Sequence, residues 1–204
     1  MSCINVPPLL VAPVLDQKAV QDIQSLLTTE ATWIDKVFGI TRVGVTKTVA
    51  GTSFKYPQVW AGNTSTNKAE YLDIRPDDSL SAYSFFEIDG EFEFGSEDDV
   101  VFPISLIVWY NLPKLNGQKT YDYSRELAAD ILKILNTSVY AGKISKVTVD
   151  FITENIFSKY PLSQEETQYL MYPYGAFKIS FNLLNYIQAD CFEEFVKGTP
   201  ECEN

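Results

Sequence analysis

From Val100 to Leu112 the chain is almost wholly apolar, with Val101, Phe102, Ile104, Leu106, Ile107, Val108 and Trp109 in close succession. A strand with one wet face alternates apolar and polar side chains, whereas a strand covered on both faces does not. This run therefore predicts the central strand of a sheet, although Pro103 near its start weighs against an unbroken ladder. The segments around it do alternate. Gly175 to Leu184 sets Phe177, Ile179, Phe181 and Leu183 against Lys178, Ser180 and Asn182. Lys146 to Ile152 places Val147, Val149 and Phe151 on one face. A sheet with such members needs layers on both sides, and two amphipathic helices are available.

The first helix opens at Asp16 as N-cap, with Leu15 and Val20 at staple spacing, and runs for about a dozen residues. Val20, Ile23, Leu26 and Leu27 share one face, opposite Lys18, Asp22 and Ser25. The second covers Tyr123 to Leu135 behind Asp122, burying Tyr123, Leu127, Ala128, Ile131, Ile134 and Leu135. Val37 to Trp60 alternates at Val43, Val45 and Val49 and reads as a long hairpin broken at Gly51, with Pro57 at an edge or turn. A polar loop follows at Asn63–Asn67, then a strand over 69–75 and a strand pair over Ser81–Phe94. A loop around Pro113 and Gly117 precedes the second helix. Residues 153–170 read as a polar excursion. The expected fold is α+β, a mainly antiparallel sheet with two packed helices. Residues 1–15 form a proline-rich extended arm, 16–187 one domain and 188–204 an acidic tail.

Composition removes several function classes. The net charge is −11, from 27 acidic and 16 basic residues, and no window gathers more than two neighbouring cations. A protein gripping DNA over a broad face needs Lys and Arg to displace phosphate counterions, so no sequence-specific nucleic-acid binding is expected. Histidine is absent, which removes Ser-His-Asp and Cys-His catalysis and the usual metal chemistry. Cys3, Cys191 and Cys202 share no metal-ligand spacing and point to free thiols in a reducing compartment, although Cys191 and Cys202 would pair if the tail folded back. There is no signal-peptide pattern and no apolar span of membrane length. No Gly-rich phosphate loop occurs, and no cofactor is expected.

One acidic alternation stands out. Glu87, Asp89, Glu91 and Glu93 point one way, with Ile88, Phe92 and Phe94 on the other face. The arrangement admits three readings: a glycosidase carboxylate pair, a calcium site shared with Glu97-Asp98-Asp99, or a solvated or interfacial strand face. A tyrosine-rich segment, Tyr169, Tyr172 and Tyr174, fits either a buried subunit contact or a plain sheet edge.

The order of elements resembles the tail-terminator or tail-completion fold of tailed bacteriophages, whose members form rings joining head to tail. The likeness is carried by Val101–Trp109, Tyr123–Leu135 and Phe177–Tyr186, and covers most of residues 16–187. In flavour the sequence is similar to proteins of phages that infect Bacteroides-type bacteria, including the crAss-like group. The resemblance implies a non-catalytic structural subunit of the virion neck, assembled in the bacterial cytoplasm into a homo-oligomeric ring of six or twelve copies. Its partners would be further copies of itself and portal, connector or tail proteins, with the genome passing through the lumen. The hairpin and arm would reach neighbours, and the acidic face Glu87, Asp89, Glu91 and Glu93 would line the lumen and repel DNA. The competing class is a carbohydrate- or calcium-binding module on a particle or cell surface. It would be favoured by an exposed Trp60 or Trp109 and disfavoured by a Trp109 in the core. An enzyme would need two of the acidic side chains to converge in a cleft with raised pKa values.

Overall fold

The computed structural model describes residues 15–49, 52–60, 71–75, 77–94, 99–138, 143–160 and 172–186. Most of the arm, the Asn63–Asn67 loop, Tyr169, Glu97, Asp98 and the acidic tail with Cys191 and Cys202 lie outside these residues. The fold is α+β. Its elements are α1 (Leu15–Glu30), β1 (Lys36–Val49), β2 (Thr52–Trp60), β3 (Tyr71–Asp73), β4 (Ala82–Ile88), β5 (Glu93–Phe94), β6 (Asp99–Asn111), α2 (Leu112–Asn116), α3 (Ser124–Thr137), β7 (Ile144–Asp150), α4 (Thr153–Ile156) and β8 (Tyr174–Tyr186). One eight-stranded sheet has the order β3-β2-β1-β4-β6-β8-β7, with β5 pairing beside β4 on β6. All pairings are antiparallel except β1 with β4.

The apolar run is β6, paired along its length with β8 and on its other side with β4. One face carries Phe86, Leu106, Val108, Phe177, Ile179 and Phe181 under α1 and α3, which contribute Val20, Ile23, Leu27, Ala128, Ile131 and Leu135. The other carries Tyr83, Phe85, Ile107, Trp109 and Ala176. Trp109 is core, as expected, and packs on Phe157 with ring centroids 4.5 Å apart.

Four expectations change. The 153–170 excursion begins as a packed lid: Asp150 accepts the Ile152 amide and the Asn155 side chain, opening α4, and Ile156, Phe157 and Tyr160 are buried on the second face. The loop at Pro113 is the short helix α2, capped by Asn111. The first helix begins at Leu15, so Asp16 sits within its first turn, its carboxylate accepting from Gln17 N–H. Asp122 does hold the start of α3, accepting the Ser124 amide at 2.9 Å.

The fourth change lies on β7, where Val147 is exposed rather than inward; Phe151, just past the strand, is 36% exposed with its ring against the core Phe177 at 6.1 Å. The pairing sets Ile144 against Leu183 but Val149 against Ile179, so β7 carries one extra residue between Ser145 and Thr148. This bulge, with Lys146 at φ 51, changes which residues face the core. Ile144 and Val149, an odd interval apart, both pack inward.

Candidate functional site

The acidic alternation does not survive as one strand face. Asp89 is opposite Pro103, and its N–H donates to the Pro103 carbonyl at 3.0 Å. Proline has no N–H to return, so the β4–β6 ladder ends at Ile88–Ile104. Pairing resumes only at Glu93–Val101, two residues out of the earlier register. The quartet is therefore divided. Glu87 is buried, while Glu91 and Glu93 are exposed beyond the break. Phe92 and Phe94, expected inward, are 52% and 70% exposed and stack edge to face on each other at 5.3 Å.

What replaces the acidic face is a neutral cluster on the second side of the sheet. Glu87, Ser105 and Ser180 form a row across β4, β6 and β8, with Lys178 one step along β8 on the same side. Lys178 Nζ lies 3.4 Å from Glu87 Oε2 and 3.0 Å from Asp89. Lys159, just after α4, reaches the same two carboxylates at 3.2 and 3.0 Å. Ser105 Oγ donates to Asp89 and is hydrogen-bonded to Ser180 Oγ at 2.6 Å. Side-chain exposure rises from 3% at Glu87 through 17% at Lys178 and 23% at Asp89 to 43% at Lys159. The cluster thus runs from the sheet interior to the rim and ties the α4 lid to the sheet.

Its electrostatics describe a closed ion pair. Burial works to raise the Asp89 carboxyl, but hydrogen bonds from Ser105, Lys159 and Lys178 outweigh it and hold the group below its ordinary value. Burial likewise opposes the Lys159 charge, yet the Asp89 contact and the Glu87 charge leave its ammonium above the ordinary value. Tyr160 under the lid is pushed up by burial first and then by the nearby Glu87 charge. A glycosidase pair must face its substrate, whereas Glu87 is buried and both carboxylates are engaged by Lys159 and Lys178. A calcium ion using Asp89 would have to displace two ammonium groups. Among the described residues no three metal-ligating side chains converge.

The tyrosine segment is divided as well. Tyr174, partly buried at the start of β8, donates its hydroxyl to Asp78, while Tyr172 is 78% exposed. Lys159 and Lys178 escaped the sequence reading as site residues. Lys178 was visible only as an outward position, and its partners lie 91 and 89 residues away. Ile156, Phe157 and Tyr160 were the available signal that the lid, and Lys159 with it, packs on the sheet.

A concavity lies between α1 and strands β1 to β3, lined by Gln17, Val20, Gln24, Ile40, Trp60 and Tyr71 among others. Trp60 meets Tyr71 edge to face at 5.5 Å, and the Arg42 guanidinium lies 3.5 Å above the Tyr71 ring. No described helix is long and apolar enough to cross a membrane. No family model, curated protein or solved structure matches this chain.

Proposed function

We propose that the protein is a structural, non-catalytic subunit of a bacteriophage neck or tail connector, working as one member of a homo-oligomeric ring around the DNA exit channel. The observation that carries this reading is the β1–β2 ribbon. β1 pairs with β4 only between Lys36 and Ile40, and β2 pairs with β3 only from Gln58 to Trp60. Pro57 still accepts the Ile74 N–H and Tyr56 is buried beneath Arg75, but beyond Gly44 and Tyr56 the two strands pair solely with each other among the described residues. This part of β1, Val45–Val49, runs for roughly 15 Å. A lone two-stranded ribbon is marginal in water, so a ribbon of this length finds its stability against a further surface. A neighbouring copy supplies that surface in a ring, where heterologous contacts close about an axis.

Two features support the reading. Phe92 and Phe94 present a stacked aromatic pair beside Phe102, the chemistry enriched at buried contacts between proteins. The ion-pair cluster has the character of a tie between lid and sheet. Within this reading the lumen-facing charge falls to Glu91 and Glu93, since Glu87 and Asp89 are neutralised by lysines.

The test is to shorten the ribbon, replacing residues 46–54 by Asn-Gly so that the Val45–Lys55 pair is kept, and to compare masses by light scattering across a concentration series. The full chain is expected to form closed oligomers of one size, and the shortened chain to remain monomeric with its circular dichroism otherwise preserved. Equal masses for the two chains would remove the ribbon from assembly and with it the basis of the reading.

A further inference from the structure

Charge is unevenly divided along the chain. Residues 36–60, which span β1 and β2, hold Lys36, Arg42, Lys47 and Lys55 and none of the 27 carboxylates, in a protein of net charge −11. Two of these cations belong to the part of the ribbon joined to the rest of the sheet. Lys36 pairs with Tyr83 of β4, and Arg42 lies over the Tyr71 ring and donates to Gln58 at 3.2 Å. Lys47 and Lys55 belong to the part beyond Gly44 and Tyr56, where the strands pair only with each other among the described residues. Lys55 is exposed. A cationic ribbon on an acidic body is drawn to an acidic surface of another molecule.

The chain carries such a surface itself. Past the end of β4, Glu91, Phe92, Glu93 and Phe94 are all exposed, the two rings at 52% and 70%. Phe92 stacks edge to face on Phe94 and rests against the buried Phe102 at 6.1 Å, so the core backs the pair. Among the described residues neither Glu91 nor Glu93 meets a cation, whereas Glu87 and Asp89 beside them are each met by two lysines. Aromatic anchors bordered by wet, uncompensated charge have the anatomy of a contact centre and its rim. The ribbon of the same subunit leaves both rings exposed, so their occupant comes from another molecule.

We infer that the β1–β2 ribbon beyond Gly44 and Tyr56 seats on the Phe92–Phe94 patch of a second copy, with Lys47 and Lys55 toward its Glu91 and Glu93. This rests on the ring reading and deepens it by naming the surface that the ribbon meets. Ribbon and patch are different surfaces of one chain, so the contact is heterologous and passes head to tail, as a closed ring requires. Glu91 and Glu93 form the wet rim of the contact, which leaves them at the border of the lumen.

The experiment mixes plain and nitrogen-15-labelled full chains at high salt, returns them to low salt and adds a carbodiimide, which joins a lysine amine to a touching carboxylate. Peptides linking Lys47 or Lys55 to Glu91 or Glu93 are expected to carry both isotopes. In light scattering, F92S/F94S is expected to raise the concentration of half-assembly at least about tenfold with its circular dichroism unchanged. K47E/K55E and E91K/E93K should each weaken assembly, and the chain carrying all four changes should regain it. Oligomers whose links stay within one isotope, or that F92S/F94S leaves unchanged, would overturn the seating and leave the ring reading standing. Single subunits at every concentration would remove the ring reading itself, and the seating with it. A DNA duplex of arbitrary sequence bound by the full chain but not by K47E/K55E would make nucleic acid the ribbon's partner and overturn the seating too. If F92S/F94S does not fold, the charge reversal and its rescue give the same opposed outcomes.

Discussion

The two faces of the sheet are built from the same strands yet solve burial differently. Under α1 and α3 the face is apolar except for the fully buried Ser84, and both helices bring matching stripes. On the other side the strands present Tyr83, Phe85, Ile107 and Trp109 at one end and Glu87, Ser105, Lys178 and Ser180 at the other. The first face is held by shape and area, which tolerate small shifts. The second combines a short apolar lid with a charge cluster whose inner pair must be kept, because the buried Glu87 carboxylate is stable only while paired. Substitutions should therefore fail in different ways on the two sides.

The largest effect is expected on the helix face. Phe177 of β8 is fully buried in the helix-face core, and Phe177→Ala should lower unfolding stability by about 4 kcal/mol, read by denaturant titration. On the lid face, Lys178→Met should cost roughly 3 kcal/mol, because Glu87 is left buried with only the rim lysine. Lys159→Met, at the exposed end of the same cluster, should cost no more than about 1 kcal/mol. Equal losses from the two lysines would break the distinction between interior and rim.

The cluster also sets a pH window. Asp89 is held below its ordinary value of 3.8, so its contribution is complete above that pH and disappears as pH falls through the lowered native value. Lys159 is held above 10.5, so its contribution is complete below that pH and disappears as pH rises through the raised native value. Stability should be level between these limits as far as the two groups are concerned, and Asp89→Asn should flatten the acid limb. An unaltered acid limb in that variant would remove Asp89 from the account. The smallest effect belongs to the β7 bulge. Lys146→Gly, which relieves a left-handed backbone at φ 51, should raise stability by up to about 1 kcal/mol.

The helix face was legible in the sequence because it rests on period. Phe177, Ile179, Phe181 and Leu183 alternate without interruption, and Ala128, Ile131 and Leu135 recur at helical spacing. The lid face was not, because it rests on register and on partners distant along the chain. The end of β4 was encoded by Pro103, a residue of the neighbouring strand, so Asp89 to Phe94 kept the appearance of a strand. The β7 bulge left no mark in the pattern, and Val147 was misassigned for that reason. Pro57 shows the converse: its carbonyl accepts from Ile74 N–H, so its missing donor falls on the β3 side and spares the hairpin. Half of the candidate site, Glu87 and Asp89, was named from its acidic spacing. The lysines that determine its chemistry could be found only once β4, β6 and β8 were brought side by side.

The central claim concerns the ribbon, and imaging of the purified full chain by cryo-electron microscopy tests it most directly. The expected result is a closed ring in which the β1–β2 ribbon of each subunit lies on its neighbour. Rings whose ribbons stand free in solvent, or single subunits at every concentration up to the millimolar range, would contradict it.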